Sequence, residues 1–155
     1  MLGDDLKTLL ATEYAFVIKA QYFHWNVEGP DFGQLHKFFQ KIYENVNGAI
    51  DPTAEYIRTL DEYTPGSFER FVDLSQITGQ TKVPRARLML QELLADNQTM
   101  LDLLNTTFRA AQNERQEGIA NFIAERISAH GKFSWQLKSY LKDARAWALL
   151  ISQTF

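Results

Sequence analysis

Residues Lys19–Ile57 read KAQYFHWNVEGPDFGQLHKFFQKIYENVNGAIDPTAEYI, and this stretch decides the fold. Apolar side chains recur at helical spacing on both sides of its central EGPDFG, where Gly29, Pro30 and Gly33 are typical of a loop. The stretch therefore predicts two helices joined by a short loop, which brings the end of the first helix close to the start of the second.

The same apolar periodicity extends over most of the chain and predicts four long helices and one short helix. The predicted spans are about Asp4–Val27, Asp31 or Phe32 to about Leu60, Phe68–Gln76, Arg85–Gln112 and Glu114–Asp143. Asp4 or Asp5 is expected to cap the first helix, where a carboxylate also suits the helix dipole. We expect one all-α domain over residues 1–155, a four-helix bundle with a short helix in the crossover between helices two and three. Residues 144–155, ARAWALLISQTF, form an apolar tail whose role stays open.

The composition is that of a globular domain. The chain has 155 residues, of which 45% are hydrophobic and 23% charged, and these values are ordinary for a soluble protein. A net charge of -3 argues against bulk attraction to nucleic acid. The absence of cysteine excludes disulfides, zinc-thiolate sites and thiol catalysis.

Two features bear on location. The opening MLGDDLKTLL carries aspartates where a secretory signal would carry lysine or arginine. The longest apolar run, Ala146–Ile151, is far too short to span a bilayer. We therefore expect a cytoplasmic protein that is not associated with a membrane.

Two histidines and two carboxylates, His24, His36, Asp51 and Glu55, have the residue types of a metal site. The carboxylates are four residues apart, so on a helix both project from one face. His36 precedes Asp51 by fifteen residues, which is roughly 22 Å along one continuous helix. Because metal ligands lie about 2 Å from the ion, either the pattern is accidental or two chains each supply half of every site.

Asp51 has a structural alternative. Asp51-Pro52 is also the pattern of an N-cap followed by proline at the first helical position, in which case helix two ends near Gly48. If the helix continues, Pro52 clashes with the carbonyl of residue 48, and the flexible backbone of Gly48 eases the distortion. Spacing alone does not separate these two interpretations.

Other catalytic patterns are missing from the sequence. It contains no Glu-x-x-His, so a di-iron site inside one bundle is not expected. No serine stands in a nucleophile elbow, and no glycine-rich phosphate loop is present. His130 stands apart from the other two histidines and is interpreted as an ordinary core or surface residue.

The stretch quoted first closely resembles the signature of the Dps family, the mini-ferritins. The matching pattern is HWNV-x-G-x-x-F-x-x-LH followed by D-x-x-AE at the expected distance. Weaker similarity extends through YTPGSFERFVDLSQI and GIANFIAERISAHGKFSWQLKSYLK. The resemblance covers roughly Gly3 to Asp143.

The resemblance implies a hollow dodecamer of ferritin-like subunits that oxidises Fe(II) and stores it as ferric mineral. It implies a ferroxidase centre between twofold-related subunits, with His24 and His36 from one chain and Asp51 and Glu55 from the other. Hydrogen peroxide is the family's usual oxidant, oxygen being the other, and consuming iron and peroxide together protects against oxidative damage. Trp25 matches an aromatic near the centre that could donate an electron, although a core or interface role explains it equally well. Zinc or another divalent metal is a realistic substitute for iron, since imidazole and carboxylate bind it well.

The chain departs from the family pattern at the site itself. Many relatives have a glutamate four residues after the second histidine, where this chain has Gln40, and this weakens the case for a second iron position. Pro52 within the ligand-bearing helix could also shift Asp51.

Iron entry in the family follows acidic threefold pores near the start of the fourth long helix. Glu114, Glu117 and Glu125 are the candidates for such a pore here, and they could equally be solvated surface carboxylates. Gln116 and Asn121 stand where relatives often carry acids.

The family's second activity, DNA binding, commonly uses a lysine-rich terminal tail. This chain has Asp4 and Asp5 near its start and only Lys138, Lys142 and Arg145 before its apolar end. We expect weak or absent DNA binding at physiological salt.

The preferred interpretation is a Dps-type ferroxidase and iron-storage cage. One alternative is a DNA-compacting protein of the same fold with an impaired iron site. Another is a helical assembly subunit with neither activity.

Overall fold

The computed structural model describes residues 1–142 and residue 152. Over these residues the chain forms no strand, and its helices follow in the order α1 (Leu2–Asn26), α2 (Phe32–Thr59), α3 (Phe68–Leu74), α4 (Ala86–Asn113) and α5 (Glu117–Leu141). α1 packs along α2 and α4 along α5, while α1 also contacts α4 and α3. The predicted four-helix bundle with a short crossover helix is confirmed. Apart from Ser152, the predicted apolar tail of residues 144–155 lies outside the described residues.

The apolar faces of the four long helices meet in one core. Its largest fully buried side chains are Phe16, Phe23, Phe39, Leu2, Leu6, Leu9, Leu10, Ile42, Ile57, Met89, Leu93 and Met100. Each such side chain contributes about 1.5–3 kcal/mol relative to its exposed state. Among the described helices, none is both long enough and apolar enough to cross a membrane.

The start of α1 differs from the prediction. Met1 is the N-cap and provides no side-chain hydrogen bond, so the predicted capping by Asp4 or Asp5 is wrong. The helix begins earlier because Leu2 is fully buried and its backbone N–H donates to Glu114 Oε2 at 2.8 Å. Asp4 and Asp5 lie in the first turn, where carboxylates still suit the helix dipole.

α2 continues through Pro52 without a break, so the helix does not restart at that proline. Pro52 has no N–H to donate to the carbonyl of Gly48. Gly48 is exposed, so water can bind that carbonyl instead. His36, Asp51 and Glu55 therefore belong to one helix.

A buried carboxyl joins α1 to α2 in the core. Glu13 is 1% exposed, and its Oε1 lies 2.9 Å from the hydroxyl of Thr53, which also lies 2.9 Å from the Ala49 carbonyl. Burial raises the pKa of Glu13 from 4.5 to about 8, although the Thr53 contact and the positive charge of Arg126 oppose the rise. The Thr53 hydroxyl donates to Glu13 Oε1, and Glu13 Oε2 has no hydrogen-bond partner among the described residues.

A second polar group joins α4 to α5. Asn97 donates to the backbone carbonyl of His130 at 2.8 Å and to the hydroxyl of Ser134 at 2.7 Å. His130 Nδ1 donates to Asn97 Oδ1 at 2.7 Å, because an amide oxygen can only accept. Burial, assisted by the charge of Arg126, lowers the pKa of His130 to about 3. His130 is therefore a neutral core histidine, hydrogen-bonded within the bundle.

Glu13→Gln should remove a pH dependence of stability. In the unfolded chain Glu13 loses its proton near 4.5, whereas the folded protein keeps it up to about 8. The free energy of unfolding therefore falls as the pH rises through this range, and glutamine, which cannot ionise, abolishes that fall. We expect the parent to lose about 4 kcal/mol more than the variant between the two ends of the range.

Urea unfolding at matched protein concentration measures this difference. Glu125→Gln, which neutralises an exposed carboxylate of α5, is the control and should follow the parent. Identical pH profiles for the parent and Glu13→Gln would show that Glu13 is ionised in the folded protein.

Candidate metal centre

The loop between α1 and α2 brings His24 and His36 together. His24 lies in the last turn of α1, and His36 lies in the second turn of α2. Gly29 adopts a φ of 113°, which favours glycine and lets the chain reverse within a few residues. The two imidazole rings stack with their centroids 3.8 Å apart and their planes 14° apart.

Reciprocal hydrogen bonds hold this histidine pair in place. His24 Nδ1 lies 2.6 Å from the backbone carbonyl of His36, and His36 Nδ1 lies 2.8 Å from the backbone carbonyl of His24. Because a carbonyl only accepts, each Nδ1 carries a proton, and in a neutral imidazole the lone pair is then on Nε2. Neither Nε2 has a hydrogen-bond partner among the described residues. Metal-binding histidines are commonly oriented in this way, with the second ring nitrogen donating to a carbonyl.

Aromatic rings enclose the pair. Phe32 stacks on His36 with a centroid distance of 5.1 Å, and Tyr43 meets His24 edge-on at 5.3 Å. His24 itself is only 8% exposed. Tyr43 was absent from the predicted site, although it follows His36 by seven residues, or two helical turns, and therefore shares its face of α2.

The two predicted carboxylates lie elsewhere on α2. Asp51 and Glu55 are both exposed and one turn apart. At 1.5 Å per residue, Asp51 is roughly 22 Å along the helix from His36. Within residues 1–142 and 152 of one chain, no three side chains of His, Asp or Glu come together as a metal site. One chain thus presents a nitrogen pair and a separate carboxylate pair.

Trp25 points away from the core, with 63% of its surface exposed, so a core role is excluded for the isolated chain. It lines a groove of about 600 Å³ between α1, α3 and the segment that follows α3. Apolar side chains that line this groove and are more than half exposed are Ile18, Trp25, Phe68 and Val72. Trp25, which directly follows His24 in α1, is thus part of the groove lining, whereas neither His24 nor His36 lines it.

The three glutamates predicted to form a pore lie where α4 passes into α5. Glu114 is the C-cap of α4 rather than a residue of α5, and its carboxylate already accepts from the N–H of Leu2. Glu117 is the first residue of α5, and Glu125 lies about two turns further along. All three are exposed, and their role in iron entry stays a prediction.

Gln40 lies between His36 and Tyr43 on α2. Its side-chain nitrogen donates to Glu44 Oε1 at 2.8 Å. An amide also lacks the charge that makes a carboxylate a strong ligand for iron. Position 40 is therefore neutral, and its side chain is engaged with a neighbour on the same helix.

Comparison with known proteins places the chain among ferritin-like proteins. The Ferritin-like domain model matches residues 3–146. The chain is 32% identical to an uncharacterised protein of Haemophilus influenzae over 89% of this chain and 86% of that protein. It is 26% identical to the DNA protection during starvation protein of Helicobacter pylori over 88% of this chain and 95% of that protein.

Solved structures show the same likeness. The Dps protein of Vibrio cholerae, described as a ferritin-like diiron-carboxylate protein, superposes with a TM-score of 0.87 at 29% identity. The superposition covers 91% of this chain and 89% of that one.

Proposed function

The chain belongs to the ferritin-like domain family, as a member of its Dps group, and from this premise we propose that it is a ferroxidase that stores iron. The observation that carries the proposal is the histidine pair, whose two Nε2 atoms have no hydrogen-bond partner among the described residues and whose rings are fixed by backbone hydrogen bonds. Iron is the substrate, and the stored ferric mineral is the product.

The site is completed by a second copy of the chain. Twofold symmetry places a patch at one end of α2 in the first chain against a patch at the other end of α2 in the second chain. The reverse contact, from the second chain to the first, forms at the same time. His24 and His36 of one chain then face Asp51 and Glu55 of the other, and each pair of chains holds two sites. This arrangement supports the proposal because it uses all four residues despite their separation along one helix.

The apolar groove supports the same interface. Ile18, Trp25, Phe68 and Val72 expose an apolar surface that includes the residue after His24, and exposed apolar patches commonly mark protein interfaces. A twofold contact there would cover them while bringing the carboxylates to the histidines. A dodecameric cage built from such pairs, located in the cytoplasm, completes the proposal.

The reaction that suits this site is oxidation of Fe(II) by hydrogen peroxide, with oxygen as the other oxidant. Two Fe(II) ions give one electron each, and with two protons the peroxide becomes two waters. Imidazole nitrogens suit Fe(II), while the carboxylates stabilise the harder Fe(III) product. Zinc or another divalent metal that takes the same ligands would compete with iron.

Removing both carboxylates should abolish iron oxidation. The protein is loaded anaerobically with Fe(II), peroxide is added, and the rate at which ferric absorbance appears is recorded. We expect this rate to fall at least about tenfold in Asp51→Ala with Glu55→Ala, since changes to outer-shell partners of metal ligands alone can cost that much. Glu69→Ala with Asp73→Ala removes an equally spaced pair of exposed carboxylates on α3 and serves as the control. Equal, slow oxidation in all three proteins would rule out this site.

Mixing two inactive variants tests whether the site is shared. One variant lacks the imidazoles (His24→Ala with His36→Ala), and the other lacks the carboxylates (Asp51→Ala with Glu55→Ala). When both are unfolded and assembled together in equal amounts, half of the twofold pairs are mixed, and each mixed pair contains one intact site. We expect about a quarter of the parental oxidation to return, because a twofold interface exchanges ligands reciprocally.

The matched comparison is a mixture of the two variants after separate assembly, which should stay inactive. No recovery in the jointly assembled cages, despite mixed pairs detected by native mass spectrometry, would contradict a shared site.

DNA binding is expected to be weak. The net charge of -3 per chain gives no bulk attraction to phosphate, although a cage could multiply a weak local patch. A gel shift across a salt series should show little complex at physiological salt, and any complex should weaken steeply as salt rises. Tight complexes that persist at physiological salt would favour the DNA-compacting alternative.

A further inference from the structure

The exposed face of α2 has a basic first half and an acidic second half. Lys37 and Lys41 are both exposed in the first half. Asp51 and Glu55 are both exposed in the second half. The two lysines are four residues apart, as are the two carboxylates, so all four side chains lie within a sector of about 80° around the helix. The exposed residues between the two pairs are Glu44, Asn45, Asn47 and Gly48.

These four charged side chains have no ion-pair or hydrogen-bond partner in the described part of the chain. The other exposed charged residues of α2 are engaged, since Glu44 accepts from Gln40 and Arg58 donates to the backbone carbonyl of Glu62. Lys41 and Asp51 are ten residues apart, or roughly 15 Å along the helix, so their side chains do not meet within one chain. One chain therefore presents two unpaired cations and two unpaired carboxylates at separate places on the same face.

An antiparallel α2 of a second copy pairs all four charges in a single register. Because both pairs have the same four-residue spacing, placing Lys37 opposite Glu55 also places Lys41 opposite Asp51. Twofold symmetry repeats these contacts in the reverse direction, which gives four ion pairs in all. His36 directly precedes Lys37, so the same register brings this histidine close to the carboxylates of the second copy.

We propose that in the metal-free pair of chains the two lysines bind the two carboxylates of the second copy, and that iron displaces these ammonium groups. The inference rests on the proposed shared site and says what holds its two halves together before metal arrives. An ammonium group neutralises each carboxylate at the interface, and Fe(II) replaces it because carboxylate oxygens bind the metal directly. The lysines thus fix the register in which two chains meet, and they compete with the metal for the same oxygens.

Charge exchange in the full-length protein tests the ion pairs. Lys37→Glu with Lys41→Glu sets carboxylates against carboxylates, and at low salt we expect it to assemble at least about tenfold more weakly than the parent, since four exposed ion pairs are lost. Adding Asp51→Lys and Glu55→Lys to that variant restores opposite charges in the same register, so assembly should recover although the site has lost its carboxylates. Sedimentation velocity over a series of protein concentrations measures assembly, and the difference between the variants should shrink as salt rises.

Lys37→Gln with Lys41→Gln tests the competition with the metal. Zinc serves as a probe that is not oxidised, and it is titrated at a protein concentration at which every variant is assembled. We expect the zinc affinity of this variant to rise about threefold or more, because the carboxylates no longer have to release ammonium groups. Lys132→Gln with Lys138→Gln removes the same charge from exposed positions on α5, and this control should follow the parent.

Two results would overturn the ion pairs: equal assembly of the parent and Lys37→Glu with Lys41→Glu at low salt, or no recovery in the fourfold variant. A zinc affinity that stays the same or falls in Lys37→Gln with Lys41→Gln would overturn the competition. Iron oxidation is measured separately in the parent. If assembly and zinc binding respond as expected while the parent does not oxidise Fe(II), the proposed ferroxidase fails and the lysine pairs stand.

Discussion

The length of α2 is the constraint on which the rest of the site depends. An α-helix rises 1.5 Å per residue, so His36 near its start and Asp51 in its second half cannot approach one another. Pro52 can bend the helix but cannot reverse its direction. A metal ion that uses imidazoles and carboxylates together must therefore take them from two chains. In the proposed site, assembly of two chains is therefore a condition for metal binding.

The interior of the bundle is unsuited to holding a metal ion of its own. Glu13 is protonated up to about pH 8, and the guanidinium of Arg126 lies close enough to influence its pKa. His130 donates through Nδ1 to Asn97, and its Nε2 lies 3.4 Å from the Arg126 side chain. The neutral acid and the engaged imidazole offer a cation no ligand, and the fixed positive charge of Arg126 repels it. These polar groups join helices of the bundle.

The helices could be predicted because their signals are local. Hydrophobic periodicity and the Gly/Pro loop at residues 28–33 predicted the bundle, and most helix ends fall within two residues of their predicted positions. The cap of α1 was wrong because Leu2 is held by Glu114, more than a hundred residues away. Local rules conflict at Pro52, where a cap and a helix interior are both allowed, so only the surrounding packing decides.

The candidate site could likewise be predicted only in part, because some of its features are local in the sequence and others depend on how the helices pack. The four ligand types and their separation along the chain can be predicted from the sequence, whereas the reciprocal bonds between His24 and His36 depend on how α1 packs against α2. Tyr43 shares a face with His36 by simple spacing, but its contact is with His24 on the other helix. A contact across two helices is found only once their packing is known.

A site divided between chains also couples metal binding to assembly. A ligand that binds only the paired state stabilises that state, and pairing must raise the affinity for the ligand by the same factor. The two halves do not contribute alike. The histidine pair is ordered within one chain by His24 and His36 themselves, so little further ordering is needed there. Asp51 and Glu55 are exposed and would lose side-chain freedom on binding, so the affinity of the proposed site for iron would depend chiefly on how rigidly the interface holds α2 of the second chain.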